Sequence, residues 1–130
     1  MTVSIARSRY KQMDAAAAPE IESPYKVVLV TLTELDKSLA VLVNAKVNDR
    51  RLPDDHINHC FTAIYILQSS LDFEKGGGEL ANSLFQVYEY CRVQVLNAFR
   101  NDETADLSQA QAAIEGIRSA WVTIGPELNG

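Results

Sequence analysis

Twenty consecutive residues without glycine or proline, Leu80 to Phe99 (LANSLFQVYEYCRVQVLNAF), constrain the fold of this chain more than any other stretch. As a helix the stretch is about 30 Å long. Its apolar residues fall into two rows. Leu80, Leu84, Val87, Cys91, Val95 and Ala98 recur at helical spacing, and Phe85, Tyr88, Leu96 and Phe99 form a second row beside them. A helix that is apolar over so wide an arc must touch neighbours on more than one side, which makes it the central element of a helical bundle. The phenol groups of Tyr88 and Tyr90 can stay hydrated while their rings are covered, as at the edge of a surface groove.

Three further helices follow from the punctuation around this one. Ser23-Pro24 is a start signal: a serine that caps free N–H groups, then a proline at the first helical position. After it Val28, Leu32, Leu35, Leu39 and Leu42 share one face. Asp49 to Pro53 break that pattern, Asp54 or Asp55 is expected to cap the next helix, and Ile57, Phe61, Ile64, Leu67 and Leu71 form its row, with an end near Asp72. Ala63, Ile66 and Phe73 belong to a second row of the same helix. Gly76, Gly77 and Gly78 read as a flexible link. Beyond Arg100 to Thr104, the residues Leu107, Ala110, Ile114, Ile117, Trp121 and Ile124 recur at spacings of three and four until Gly125 and Pro126.

No segment alternates apolar and polar residues as a half-buried strand does, so the expected class is all-α: an antiparallel four-helix bundle over residues 24–125. Residues 1–23 read as a mostly irregular N-terminal tail interrupted by Pro19, in which Tyr10 and Met13 are spaced to cover one apolar surface together. A chain of 130 residues, 47% hydrophobic and 22% charged, suits one folded core.

Charge and chemistry exclude more than they suggest. The formal net charge of -5 disfavours nucleic acid, and the basic cluster Arg7, Arg9 and Lys11 lies in the tail. No run is long enough for membrane insertion, and no signal-peptide pattern is present, so a cytoplasmic location is expected. His56 and His59 lie near Asp54, Asp55 and Cys60, but aspartates collect naturally at a helix start and the carboxylate–histidine pairs of a di-metal bundle are missing. Cys60 and Cys91 sit within apolar patterns, where burial makes a thiol inert. The triple glycine lacks the lysine and hydroxyl residue of a phosphate-binding loop. No catalytic residue, metal or cofactor is therefore expected; the chain is not expected to be an enzyme.

What remains is apolar surface in excess of a two-row seam: Phe61, Ile66, Phe85, Val93 and Phe99. An exposed apolar groove takes a helix or peptide partner, and self-association would hide the same surface.

At this point the chain resembles the FliS-type flagellin export chaperones. The matching features run in order: Tyr10-Lys11-Gln12 in the tail, Ser23-Pro24 opening a Leu-rich helix, then Ile64, Leu67 and Leu71 before a glycine link. Leu84 and Val87-Tyr88-Glu89-Tyr90 follow, similar to the family's Leu-Tyr-Asp-Tyr, with Ala98 closing that helix; Ile117-Arg118 and Trp121 come last. The family's second tail tyrosine has no counterpart, and its basic pair after the tyrosine motif is reduced to Arg92.

The resemblance implies a cytoplasmic chaperone that binds the disordered C-terminal segment of flagellin, prevents premature polymerisation and helps deliver it to the flagellar type III export gate. It also implies a tail, with Tyr10 in it, that covers part of the client surface. The expected client-binding residues are Phe61, Ile66, Phe85, Tyr88, Tyr90 and Phe99, and the expected tail cap is Tyr10 with Met13. The alternative is a structural or regulatory bundle that self-associates and has no export client.

Overall fold

A computed structural model describes residues 23–128. Its helices are α1 (Pro24–Val47), α2 (Asp54–Ser69), α3 (Glu79–Phe99) and α4 (Leu107–Leu128), with a short 3₁₀ turn at Lys75–Gly78; among the described residues there is no strand. Tyr10 and Met13 lie outside the described residues.

The first helix starts where its sequence signal stands. Ser23 Oγ accepts the Lys26 N–H at 3.1 Å and Pro24 occupies the first turn. The start of α2 differs from expectation, because Pro53 holds the cap position and makes no side-chain cap bond. Asp54 and Asp55 instead lie inside the first turn, where negative charge suits the positive end of the helix. The end of α2 also comes early, at Ser69. There Ser70 Oγ donates to the Ile66 carbonyl at 2.7 Å, and Asp72 Oδ1 accepts the N–H groups of Glu74 and Lys75 at 3.0 and 3.3 Å. These bonds turn the chain, so Phe73 is a loop residue rather than part of a helical row. The three glycines follow with φ of 59°, 77° and 81°. Side chains disfavour that region, so the link is a left-handed turn with a defined path into α3.

At its far end α4 does not stop at Gly125 and Pro126 but continues to Leu128. Gly125 is buried against the Tyr25 ring, which occupies the space a side chain there would need. Tertiary contact with α1 thus carries the helix through two residues of poor helix propensity.

Each helix packs beside the next and α4 beside α1, while the backbones of the diagonal pairs lie further apart among the described residues. Trp121 Nε1 donates to the Tyr25 carbonyl at 3.1 Å and its ring stacks on that of Tyr25, with centroids 5.9 Å apart. Arg118 Nε donates to Thr33 Oγ1 at 3.0 Å. Contact positions rise along α1 as they fall along α4, so the two are antiparallel. The core between the helices holds Leu32, Leu35, Leu39 and Leu42 of α1, Ile57, Cys60, Ile64 and Leu67 of α2, Tyr88, Cys91 and Val95 of α3, and Leu107, Ala110 and Ile114 of α4. Gly116 is exposed with open space around it, so no close helix contact explains it. The expected all-α four-helix bundle is the observed fold.

Candidate functional site

The inward row of α3 is Ala81, Leu84, Tyr88, Cys91, Val95 and Ala98, spaced alternately by three and four residues. Tyr88 therefore occupies the core line and is 2% exposed, and Leu80 lies off the bundle, exposed. At 100° per residue Tyr88 stands about 60° from Phe85, toward the line of Leu84 and Cys91, which separates two residues that look like one row in the sequence. Its ring offers no free surface to a partner. Burial, with a smaller contribution from nearby Cys91, pushes its phenol up to about 12.

The outward row toward α2 is Phe85, Glu89, Arg92, Leu96 and Phe99, again at alternating spacings of four and three. On α2, Phe61 and Tyr65 share a helical face with Gln68 at spacings of four and three. Two contacts set the register. Gln68 Nε2 donates to Glu89 Oε1 at 3.2 Å, and Phe73 meets Phe85 edge-on with centroids 6.2 Å apart. Because α2 and α3 run in opposite directions, seven residues back from Gln68 and seven forward from Glu89 bring Phe61 level with Leu96, about 10 Å from the Gln68–Glu89 bond.

Partly exposed apolar side chains thus line the α2–α3 seam, the shallow groove that two packed helices leave between them. Phe73, which is 45% exposed, and half-buried Phe85 form one apolar end. Half-buried Phe61 and Leu96 form the other, extended by Tyr65 at 49% and Phe99 at 56% exposure. Between them Arg92 grips Glu89 in a fork, Nε to Oε1 at 2.9 Å and Nη2 to Oε2 at 2.6 Å. The Arg92 fork first and the Gln68 amide second hold the Glu89 carboxyl down at about 2. The centre of the groove is thus an ion pair fixed to both helices.

The groove brings together Phe61, Phe85 and Phe99 of the expected site residues. Ile66 does not join them: it is 4% exposed, and helical spacing sets it across the core line of α2 from Gln68. Tyr90 is exposed on the opposite flank of α3, one turn before Gln94. Gln94 Oε1 accepts the Asp106 N–H at the start of α4, and Asp106 Oδ1 in turn caps Gln109. Tyr65 and Phe73 are not among the expected client-binding residues; Leu96 stands in the second row read from the sequence but not in that set. The spacing of four and three continued through Glu89 and Arg92 was the available signal for Leu96.

Other chemistry is sparse. Cys60 and Cys91 are buried, and burial pushes both thiols up to about 12. His56 Nδ1 lies 3.2 Å from Ser38 Oγ, a contact between α2 and α1. Among the described residues no His, Cys, Asp and Glu are grouped to hold a metal ion, and no helix is long and apolar enough to cross a membrane. A depression of about 100 Å³ near Val43, Val47 and Leu107 is the size of one side chain.

Comparison with known proteins gives a consistent picture. No solved structure matches the chain significantly. It is 26% identical over 122 residues to a flagellar secretion chaperone FliS of Vibrio cholerae, covering 92% of this chain and 88% of that protein. It is 25% identical over 118 residues to the flagellar secretion chaperone FliSB of Pseudomonas aeruginosa, covering 89% and 92% respectively. The family model described as flagellar protein FliS matches residues 6–128, nearly the whole length, and the chain belongs to the FliS family.

Proposed function

We propose that this protein is a flagellar secretion chaperone of the cytoplasm whose client is the disordered C-terminal segment of flagellin. In this reading the segment folds as amphipathic helix on the bundle, which keeps it from polymerising and presents it to the export gate. The observation that carries the reading is the α2–α3 groove: apolar residues exposed in line along two rigid helices of a family whose relatives are named flagellar secretion chaperones. A segment that folds on binding must gain more from burial, at about 25 cal/mol per Å² of apolar surface, than it loses in ordering. A long shallow groove supplies such area better than one deep pocket. Residues 1–23, Tyr10 and Met13 among them, are the proposed cover for this surface when no client is bound.

Co-purification with flagellin tests the reading. Full-length flagellin is expected to co-elute as a complex, and flagellin lacking its C-terminal segment is expected not to. Retention of the truncated flagellin would refute the assignment of the client segment. A dimer of this chain that ignores both forms would favour the self-associating bundle.

A further inference from the structure

Arg92 stands seven residues from Phe85 and seven from Phe99, about 10 Å along α3 from each, and so marks the middle of the apolar row. Its side chain is 40% exposed, which leaves it accessible to whatever lies in the groove. A guanidinium carries five N–H donors. Arg92 directs Nε and Nη2 at Glu89, and its remaining donors make no hydrogen bond among the described residues. Glu89 is itself held from the other helix by Gln68, so the fork has little freedom to swing away. The ion pair is close to neutral as a unit. What it presents to a partner is a set of directional donors between two apolar ends.

From this we infer that Arg92 selects the segment that docks in the groove. The selected helix carries a side-chain oxygen, from Asp, Glu, Asn or Gln, at the middle of its otherwise apolar face. The inference rests on the groove being the client surface. The physical reason is an asymmetry in hydrogen-bond energetics. A helix lying over the groove removes water from the free donors of Arg92, and donors buried without an acceptor cost more than a satisfied bond returns. A helix with an unbroken apolar face therefore gains area at both ends and loses at the centre. One with an acceptor about seven residues from the apolar anchors on either side loses nothing there. Discrimination comes as much from rejecting the wrong helix as from holding the right one.

The test uses the full chain and three fluorescent probes: the flagellin C-terminal segment, and two synthetic amphipathic helices identical except for Asn or Leu at the centre of the apolar face. Wild-type protein is expected to bind the Asn helix about tenfold more tightly than the Leu helix, the size of one charge-assisted hydrogen bond at a partly exposed site. Arg92→Met keeps the length and apolar stem of the side chain and is expected to reverse the order, with unchanged helicity. Arg92→Lys, which keeps charge without the fork, is expected to fall between. Equal binding of the two helices by wild type, or the same preference in Arg92→Met, overturns the inference. If the flagellin segment binds but neither synthetic helix does, the inference fails while the proposed function stands. If the flagellin segment does not bind, the proposed function fails and the inference, which rests on it, fails with it.

Discussion

Aspartate placed at Ile66 and at Phe99 should separate folding from docking, although both residues read as client-facing in the sequence. Ile66 is 4% exposed. Truncation to Ala would remove three buried carbons, about 2.4 kcal/mol at about 0.8 kcal/mol per CH₂, before any cavity forms. The measured range for such changes is about 2–5 kcal/mol, and a carboxylate left in apolar surroundings adds desolvation or forced protonation. Ile66→Asp should therefore cost about 4–6 kcal/mol, a large share of the roughly 5–15 kcal/mol that holds a domain of this size. At a urea dependence of about 2 kcal/mol/M, its unfolding midpoint should fall by about 2–3 M. Phe99 is 56% exposed at the last turn of α3, so Phe99→Asp should cost about 1 kcal/mol or less, including an unfavourable charge at the negative end of the helix. Urea titration followed by helical circular dichroism measures both. Phe99→Asp should remain folded and bind the flagellin segment less tightly. An Ile66→Asp variant as stable as wild type would refute the burial argument, and a Phe99→Asp variant that unfolds would refute the claim that this ring lies at the groove rather than in the core.

Three smaller predictions test other parts of the bundle. With Cys60 and Cys91 buried and their thiols pushed up to about 12, neither should react with a thiol reagent at pH 8 until the chain is unfolded, and rapid labelling of native protein would contradict that packing. Gly116→Ala should raise stability by about 0.5–1 kcal/mol because the position is an open helix interior, whereas Gly125→Ala should lower the melting temperature because its new carbon meets the Tyr25 ring. The Glu89 carboxyl is depressed in the folded state, from an ordinary value of 4.5 to about 2. Its contribution to stability is thus fully present above about pH 4.5 and lost as pH falls toward 2, and Glu89→Gln should lower stability at pH 7 and flatten the profile between about pH 4.5 and 2. The pair is a third or more exposed, so the effect should be small.

Helix order, the Ser23-Pro24 start and the bundle were legible because each rests on local rules: capping, proline geometry and a repeat of three and four. The boundaries that moved are those where a longer-range contact decided. Gly125 and Pro126 look like a stop until Tyr25, a hundred residues earlier, is found against the glycine. Asp72 looks like a helix end until its carboxylate is seen to close a turn that α2 has already left. The site was legible only in part, for a related reason. Burial pattern in a helix depends on angles, and Phe85 and Tyr88 differ by about 60°, too little to separate by composition yet enough to put one ring in the groove and the other in the core. Ile66 is buried by the same kind of angular difference, and Tyr90, exposed, lies on the other flank of α3, beside the Gln94–Asp106 contact.

The charged pair sits in the middle of the outward row of α3: Glu89 and Arg92 hold the helical positions that join Phe85 to Leu96 and Phe99, where the apolar pattern alone puts Tyr88 instead. A sequence read for greasy stripes alone passes over such polar positions. In the folded chain the same two residues lie at the centre of the groove, tied across the seam by Gln68. An ion pair held this firmly keeps an exposed apolar row from being continuous, and a continuous row would be open to any hydrophobic segment. Two apolar ends with donors between them favour a helix of one particular pattern. If the proposed function holds, a carrier that accepts one client among many unfolded chains needs that restriction more than it needs additional affinity.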